Sequence, residues 1–338
     1  MSFQITIKPS GHCFNAPVDE TILDSALEAG FTLPYGCRNG GCGACKGRVL
    51  EGEFEYGDAQ ANALSEAEKS AGLALFCCAR PLSDLAIECR EVGLQGGIQP
   101  RILPCRVERK EQLAPDVMVM YLKLPANERL QFLPGQYVEF LMKDGARRAF
   151  SLANAPYDDQ TLELHLRLIP GGKFTEYVFN EMPEKAILRF EGPFGTFTLR
   201  EDSDKPIIFI AGGTGFAPIK GIIEHALHHQ IKRDMVLYWG ALARQDLYLP
   251  QLPQQWTGEH ANIRFVPVLS EPKPEDAWSG RTGLVHQAVM EDFPDLASYQ
   301  VYCCGAPAMV EAAHRDLIAH GLPEDEFFSD AFTFAAKK

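Results

Sequence analysis

The spacing of apolar positions predicts three regions of different architecture along the chain. In residues 1–93 the start of the chain alternates like a strand, and an apolar repeat over 22–27 predicts a helix that Asp19 or Thr21 caps and Gly30 ends. The region also contains a second short strand that ends near residue 17, strands at 47–50 and 85–89, and a helix-prone stretch over 64–72. The pattern predicts one small domain of α+β class.

A glycine-rich stretch ended by proline, residues 94–100, predicts a linker after the first region. Over residues 101–203 the apolar runs are short, closely spaced and broken by Pro and Gly turns, which is typical of an antiparallel β-barrel or sandwich. The predicted strands are 102–107, 117–124, 137–141, 149–152, 162–168 and 187–190.

After residue 204 the apolar runs become continuous and alternate with helical stretches. Strands are predicted at 206–211, 235–240, 263–269 and 300–304, and helices at 218–230, 282–291 and 306–320. Strands buried on both faces and separated by helices indicate an α/β parallel sheet over 204–338. The sequence therefore predicts three domains, 1–93, 101–203 and 204–338, with 94–100 as linker.

Composition and charge narrow the class of function. The 338 residues are 46% hydrophobic and 23% charged, as in ordinary globular proteins of two or three domains. A net charge of -13 argues against nucleic acid, which needs clustered Lys and Arg, and suits either a basic protein partner or simple solubility. No apolar run approaches the roughly 18 residues that span a membrane. With ten cysteines and no targeting segment at its start, the chain is expected to be cytoplasmic.

A cysteine-rich loop carries the most specific motif of the chain. Cys37, Cys42 and Cys45 have the C-x4-C-x2-C spacing of plant-type [2Fe-2S] sites, which need a fourth cysteine from later in the chain. The adjacent Cys77 and Cys78 make that ligand available. Four glycines among residues 36–43 let the loop wrap closely and direct backbone N–H groups at the sulfurs.

Zinc binding and disulfide bonding are the alternatives for these cysteines. A structural zinc site would want two separated C-x2-C pairs or added histidines, whereas Cys77 and Cys78 are adjacent and cannot both point inward from a strand. A disulfide framework is disfavoured because a chain of this length buries its own core and shows no secretory segment. The spacing favours the iron–sulfur cluster over both alternatives.

Two features of the last region indicate a dinucleotide site. The turn 211–218, Ala-Gly-Gly-Thr-Gly-Phe-Ala-Pro, follows a buried strand and opens a helix, so its small residues can approach a pyrophosphate at the helix N-terminus. Pro218 stands where the usual fingerprint has its third glycine, so an ordinary tight turn is the alternative. Cys303, Cys304 and Gly305 end a buried strand at the carboxyl edge of the sheet, where ligands bind, or they are simply buried residues.

Two further groups of polar residues need an interpretation. Arg147 and Arg148 are adjacent in a predicted strand, so at least one is expected to face an anion or solvent. His225, His228 and His229 on the predicted helix 218–230 favour a solvated helix face over a metal site.

Motifs in all three regions resemble one protein family. Residues 75–84, Leu-Phe-Cys-Cys-Ala-Arg-Pro-Leu-Ser-Asp, resemble the ferredoxin segment that carries the fourth cluster ligand, and the match falls on Cys77. Four segments of the second region resemble the flavin-binding motifs of the family's barrel: 134–137 (PGQY), 148–151 (RAFS), 171–172 (GG) with Thr175, and 192–195 (GPFG). The whole chain is similar to ferredoxin-NAD(P)H reductase-type flavoproteins fused to an N-terminal plant-type ferredoxin. The resemblance implies a β-grasp ferredoxin domain, an antiparallel β-barrel FAD domain and an α/β parallel-sheet NAD(P)-binding domain.

The resemblance also implies roles for individual residues. Cys37, Cys42, Cys45 and Cys77 would bind the [2Fe-2S] cluster. Arg148 would pair with the flavin phosphates, Phe150 would stack on the isoalloxazine, and Ser151 would hydrogen-bond N5. The other implied cofactor contacts are Gly172, Thr175, Gly212, Gly213, Thr214, Gly215, Pro218, Cys304, Gly305 and Phe332, with Ser151 and Cys304 as the catalytic residues. Many family members have Tyr in place of Phe150, so a hydroxyl contact to FAD is lost here.

Members of this family pass electrons from NADH through FAD and [2Fe-2S] to a protein partner. The resemblance leaves two destinations open: the dehydratase of 3,6-dideoxysugar synthesis and the terminal component of a multicomponent oxygenase. An electron-carrier or redox-sensing module without turnover is a hypothesis of another class. NADH is favoured by the resemblance, although the loop 241–248 contains both Arg244, which suits a 2'-phosphate, and Asp246, which suits a 2'-hydroxyl. The oligomeric state is undetermined by the sequence.

Overall fold

The described residues form two compact units. A computed structural model describes residues 1–90 and 98–333. The first unit is Met1–Ile98 with Ala331–Lys338, and the second is Gln99–Asp330. Most of the predicted linker, 94–97, lies outside the described residues. The predicted boundary at residue 204 falls inside the second unit, in which barrel and α/β region pack together.

The first unit is a mixed five-stranded sheet with a helix packed on it. Its elements are β1 (Ser2–Lys8), β2 (Cys13–Pro17), α1 (Ile22–Glu28), β3 (Lys46–Glu51), β4 (Phe54–Glu55), α2 (Glu66–Ser70), β5 (Leu73–Leu75), β6 (Arg80–Pro81) and β7 (Leu85–Glu88). The sheet order is β2-β1-β7-β3-β5, with β1 and β7 parallel, which is the predicted β-grasp arrangement. Thr21 caps α1, since its Oγ1 accepts a hydrogen bond from the Asp24 N–H at 3.1 Å. Ile22, Leu23 and Ala26 are fully buried on the inner face of α1.

The second unit begins with the predicted antiparallel barrel. Its elements are β8 (Arg101–Ala114), β9 (Val117–Lys123), β10 (Tyr137–Leu141), β11 (Arg147–Ser151), β12 (Leu162–Arg167), α3 (Lys173–Asn180) and β13 (Ile187–Phe194). The strand order is β11-β10-β13-β8-β9-β12, with every pair antiparallel. An antiparallel bridge between Leu152 and Leu164 joins the two edges and closes the barrel. Phe140, Phe190 and Leu164 lie in the core that the strands enclose.

The rest of the second unit is the predicted α/β layer. Its elements are β14 (Ile207–Gly212), α4 (Phe216–His228), β15 (Met235–Ala241), α5 (Gln251–Glu259), β16 (Ile263–Leu269), β17 (Arg281–Thr282), α6 (Val285–Asp292), β18 (Gln300–Gly305), α7 (Pro307–Ala319) and β19 (Phe327–Ala331). The sheet order is β17-β16-β15-β14-β18-β19, and its first five strands are parallel. β14 is central and its apolar residues are fully buried, as a continuous apolar run predicts. Among the described helices, none has both the length and the apolar composition to cross a membrane.

Candidate functional site

The loop between α1 and β3 folds tightly around its cysteines. Gly40 and Gly43 have φ angles of 73° and 78°, in the left-handed region that favours glycine. A Cβ atom at Gly40 would lie 2.7 Å from Cys78 Sγ and 2.8 Å from the carbonyl oxygen of Asp58. The loop therefore passes against the turn between β5 and β6, which carries Cys77 and Cys78.

The predicted ligand sulfurs form two pairs in this loop. The thiols of Cys37 and Cys42 hydrogen-bond each other, and so do those of Cys45 and Cys77. A [2Fe-2S] cluster takes two protein ligands on each iron, so two pairs fit its ligand set. Among the described residues, no three or more His, Cys, Asp or Glu side chains are grouped to hold a metal ion at one point. The paired arrangement suits two irons better than a single zinc ion.

Hydrogen bonds favour the thiolate form of one sulfur in each pair. The Cys42 thiol lowers the pKa of Cys37 to about 6, helped by the backbone N–H groups of Asn39 and Gly41. The thiols of Cys45 and Cys78, with the N–H of Gly40, lower the pKa of Cys77 to about 4. The same hydrogen bonds, with burial, raise the pKa of the partner thiols Cys42 and Cys45. Thiolate is the form of cysteine that binds metal, so the ligand assignment rests on the pairing of the sulfurs and not on these shifts.

The expectation that Cys77 and Cys78 cannot both point inward is wrong. Each is only 8% exposed, and their sulfurs lie 3.7 Å apart. The physical reason is that they occupy the turn between β5 and β6, whereas alternation of side chains applies within a strand. Cys77 nevertheless contacts the sulfur of Cys45, and Cys78 packs against Gly40.

Two turns with predicted flavin motifs meet at one end of the barrel. A Cβ atom at Gly135 would collide with the carbonyl oxygen of Phe197, and the φ angle of Gly135 is 95°. The buried Gln136 donates from Nε2 to the carbonyl oxygen of Gly195 at 3.1 Å. A Cβ atom at Gly195 would lie 3.0 Å from the Tyr137 ring. Residues 134–137 and 192–195 thus brace each other beside the first residue of β10.

The two arginines of β11 have different partners. Arg147 forms ion pairs with Glu139, at 3.1 Å, and with Glu191. Arg148 donates to the backbone carbonyl of Arg147 at 2.7 Å and has no carboxylate partner among the described residues. A half-buried guanidinium without a carboxylate suits a phosphate ligand. The expectation that at least one of the pair faces an anion or solvent is confirmed by Arg147, which is exposed and contacts two carboxylates.

The other predicted flavin residues of β11 and α3 pack against neighbouring residues of the barrel region. The ring of Phe150 lies 5.3 Å from that of Phe174, and Ser151 is buried opposite Tyr137. Gly172 precedes α3, and the Thr175 hydroxyl accepts from the Ile169 N–H at 3.1 Å. Thr175 thus shapes the glycine turn from inside.

The two predicted parts of the dinucleotide site come together at the carboxyl edge of the parallel sheet. After β14 a 3-10 turn over Gly213–Gly215 leads directly into α4. A Cβ atom at Gly215 would collide with the carbonyl oxygen of Cys304, and one at Gly212 would lie 2.5 Å from Met309 Sδ. Gly305 has a φ angle of 153° and lies against Gly212. Thr214 and Cys304 are buried, and Pro218 lies in the first turn of α4.

Two residues beside this turn escaped the sequence analysis. Trp239 donates from Nε1 to the carbonyl oxygen of Gly213 at 3.0 Å, and its ring stacks on Phe216 at 4.0 Å. Arg167, at the end of β12, is paired with Asp116 at 2.7 Å, and its Nη1 would lie 2.9 Å from a Cβ atom at Gly213. Both come from distant strands, so no local spacing could reveal them.

The remaining residues singled out in the sequence lie on α4 and just after β19. His228 and His229 are exposed, as expected for a solvated face, but His225 is buried and bonds Glu201 at 2.9 Å. The expectation is wrong for His225, because its imidazole packs against Glu201 in the segment after β13 and not against solvent. Phe332 follows β19 and belongs with the first unit, so its approach to the flavin stays a prediction.

Comparisons with known proteins agree across the three regions. Family models match as a 2Fe-2S iron-sulfur cluster binding domain over residues 5–82, an oxidoreductase FAD-binding domain over 104–199 and an oxidoreductase NAD-binding domain over 209–315. The CDP-6-deoxy-L-threo-D-glycero-4-hexulose-3-dehydrase reductase of Yersinia pestis is 40% identical over 332 residues, 98% of this chain and 99% of the relative. The phenol hydroxylase P5 protein of Acinetobacter pittii is 36% identical over 342 residues, 99% and 96% of the two chains.

A solved structure has the same fold over the full length. The crystal structure of the Amycolatopsis cytochrome P450 reductase GcoB matches with a TM-score of 0.81 and 35% identity, over 99% of this chain and 100% of that chain. The chain belongs to the ferredoxin-NAD(P)H reductase-type flavoproteins with an N-terminal plant-type ferredoxin domain, and it is an NAD(P)H-dependent oxidoreductase that uses FAD and a [2Fe-2S] cluster to transfer electrons.

Proposed function

We propose that this protein passes electrons from NADH to the dehydratase of 3,6-dideoxysugar synthesis. The observation that carries the proposal is the 40% identity, over 98% of the chain, to a reductase named for a CDP-hexulose 3-dehydrase. Identity to the phenol hydroxylase P5 protein is lower, at 36%. Ten cysteines without a disulfide suit the cytoplasm as the compartment.

The proposed domains and site residues follow the motifs. Each matched family range falls inside one proposed domain, 1–93, 101–203 or 204–338. When bound, FAD accepts a hydride and releases single electrons, and the cluster carries them singly. Arg148 supplies positive charge for the FAD phosphates, while Phe150 and Ser151 line the flavin ring. Cys37, Cys42, Cys45 and Cys77 hold the cluster.

The dinucleotide turn is proposed to admit NADH closely. Gly212, Gly213 and Gly215 keep side chains away from the pyrophosphate, and Cys304 ends the neighbouring strand beside them. Arg244 donates to the carbonyl oxygen of Asp276 at 3.1 Å, and Asp246 accepts from the Ala243 N–H at 2.9 Å. The preference for NADH over NADPH is proposed from the resemblance to the family, since this loop contains both Arg244 and Asp246.

An oxygenase component is the second candidate for the electron acceptor. Two observations favour it: the relative named phenol hydroxylase P5 protein and the full-length structural match to a cytochrome P450 reductase. No motif in the chain separates the two acceptors, since the docking surface has no sequence pattern of its own.

Anaerobic reduction followed by partner addition tests the proposal. The purified protein is titrated with NADH while its visible spectrum is recorded, and NADPH serves as the comparison. Bleaching of both flavin and iron–sulfur bands by NADH is expected, with slower reduction by NADPH. Reoxidation on adding the purified dehydratase with its substrate supports the proposed acceptor. Reoxidation by an oxygenase component alone overturns it in favour of the second candidate.

A further inference from the structure

A buried polar network joins the barrel to the helix that follows the dinucleotide turn. Its centre is Lys220 on α4, five residues after Gly215 and only 6% exposed. The Lys220 Nζ lies 3.2 Å from Glu163 Oε2 on β12 and 3.0 Å from Glu224 Oε2 on its own helix. It also donates to the carbonyl oxygen of Ala153 at 3.2 Å.

The network continues from Glu163 through His165 to a third element. His165 Nε2 lies 2.7 Å from Glu163 Oε1, and His165 Nδ1 lies 2.7 Å from the Tyr248 hydroxyl. A neutral imidazole has one donor and one acceptor nitrogen, and the carboxylate of Glu163 can only accept. His165 therefore donates from Nε2 to Glu163 and accepts from Tyr248 at Nδ1. Tyr248 follows β15, and its ring packs on Trp239, 5.1 Å away.

The charge states of these groups support a fixed arrangement. Burial alone would raise the pKa of Glu163, but the hydrogen bond with His165 and the charge of Lys220 outweigh it and hold that pKa at about 2. Burial alone would lower the pKa of Lys220, but Glu163 and Glu224 outweigh it and raise that pKa. Burial lowers the pKa of His165 in spite of Glu163, so the imidazole is neutral.

The position of the network suggests what it does. Ala153 lies two residues beyond Ser151, which ends β11, the strand proposed to line the flavin. Lys220 lies on the helix that the dinucleotide turn opens. A buried ion pair adds little net stability, and in some proteins such a pair instead fixes how two packed elements are arranged. Hydride transfer needs donor and acceptor atoms held about 3–3.5 Å apart. Resting on the proposed function, we propose that Lys220, held by Glu163 and His165, is a positioning residue that sets the spacing between the flavin strand and the dinucleotide turn for hydride transfer from NADH.

The test is anaerobic stopped-flow reduction of the full-length, FAD- and cluster-loaded protein by NADH. The Lys220→Met variant removes the ammonium and keeps an unbranched side chain. We expect the limiting rate of flavin reduction to fall by about tenfold to a hundredfold, the range expected for a misplacement of up to about 1 Å. NADH deuterated at the transferred hydrogen should show a full primary isotope effect in the variant. The midpoint potentials of flavin and cluster should be unchanged, because a positioning residue changes the distance for hydride transfer and not its driving force.

Two companion variants separate positioning from general stability. Glu163→Gln keeps the shape of the site and should fold, and a smaller loss of rate in the same direction is expected. Lys110→Met is the control, because Lys110, like Lys220, donates to the backbone, here to the carbonyls of Val178 and Met182 at 2.7 and 2.8 Å, but these contacts lie within the barrel region alone. Its flavin reduction rate should equal that of the parent protein.

The outcomes are distinct. An unchanged rate in flavin-loaded Lys220→Met, or in Glu163→Gln if Lys220→Met does not fold, overturns the inference. The inference is also overturned if Lys110→Met loses as much rate as Lys220→Met, because a general destabilisation of the second unit would then explain both losses. If NADH fails to reduce the parent protein, the proposed function itself fails.

Discussion

The cluster loop and the dinucleotide turn are built in opposite ways. Three of the four proposed cluster ligands lie within nine residues of one loop, and the fourth is in the turn after β5. The dinucleotide turn, in contrast, touches Cys304 from β18, Trp239 from β15 and Arg167 from β12. A metal cluster dictates residue type and spacing, whereas a nucleotide needs close backbone approach, which many sequences can supply.

The largest expected effect is loss of the cluster from the cluster loop, the site formed mainly by one local segment. Cys77→Ala should abolish cluster binding, because one iron loses the thiolate that pairs with Cys45, whereas the neighbouring Cys78 sulfur packs against Gly40. Iron content should fall from about two per chain to near zero, with loss of the iron–sulfur visible bands. Cys78→Ala is the matched control, one residue away and equally buried, and it should keep the cluster. Loss of iron in Cys78→Ala instead would reassign the fourth ligand.

The next largest effect concerns the dinucleotide turn, the site to which distant strands contribute. Gly215→Ala places a methyl group on the carbonyl oxygen of Cys304, although the φ angle of -59° at Gly215 suits any residue. We expect a loss of about 1–3 kcal/mol in the free energy of unfolding, as for overpacking elsewhere, and slow reduction by NADH. Chemical denaturation and stopped-flow kinetics measure the two effects.

The same change at Gly258, in α5, provides the control for Gly215→Ala. A Cβ atom at Gly258 meets no other atom within 4 Å. Gly258→Ala should therefore stabilise the protein by about 0.5–1 kcal/mol, the helix preference for Ala over Gly. Equal behaviour of the two variants would show that contact with Cys304 is unimportant.

The smallest effect concerns pH and the buried network of the second unit. The pKa of Glu163 is about 2 in the folded protein, below its ordinary 4.5, so its contribution to stability is present above about pH 4.5 and is lost as pH falls toward 2. Between about pH 7 and pH 4 this loss amounts to about 1 kcal/mol in the free energy of unfolding. Urea denaturation at both pH values measures it. Glu163→Gln should show a shallower decline, and an equal decline would contradict the assigned pKa.

Long, strongly patterned elements could be predicted from the sequence, and short ones could not. The apolar run at 206–211 and the repeat at 22–27 match β14 and α1 closely. β4, β6 and β17 have two residues each, too few for a period to show. α3 and α5 were missed because Pro and Gly interrupt or border their apolar positions, so tertiary packing completes them.

Residue spacing in the sequence was enough to indicate the iron–sulfur cluster, the three-part architecture and the glycine turn of the dinucleotide site, because each of these imposes a local pattern. Tertiary folding alone brought Cys304 onto Gly215 and buried Lys220 between Glu163 and Glu224. It also left Arg148 without a carboxylate partner within residues 1–90 and 98–333. Such contacts join residues tens of positions apart. The sequence also does not show whether a charged side chain faces water or a buried partner.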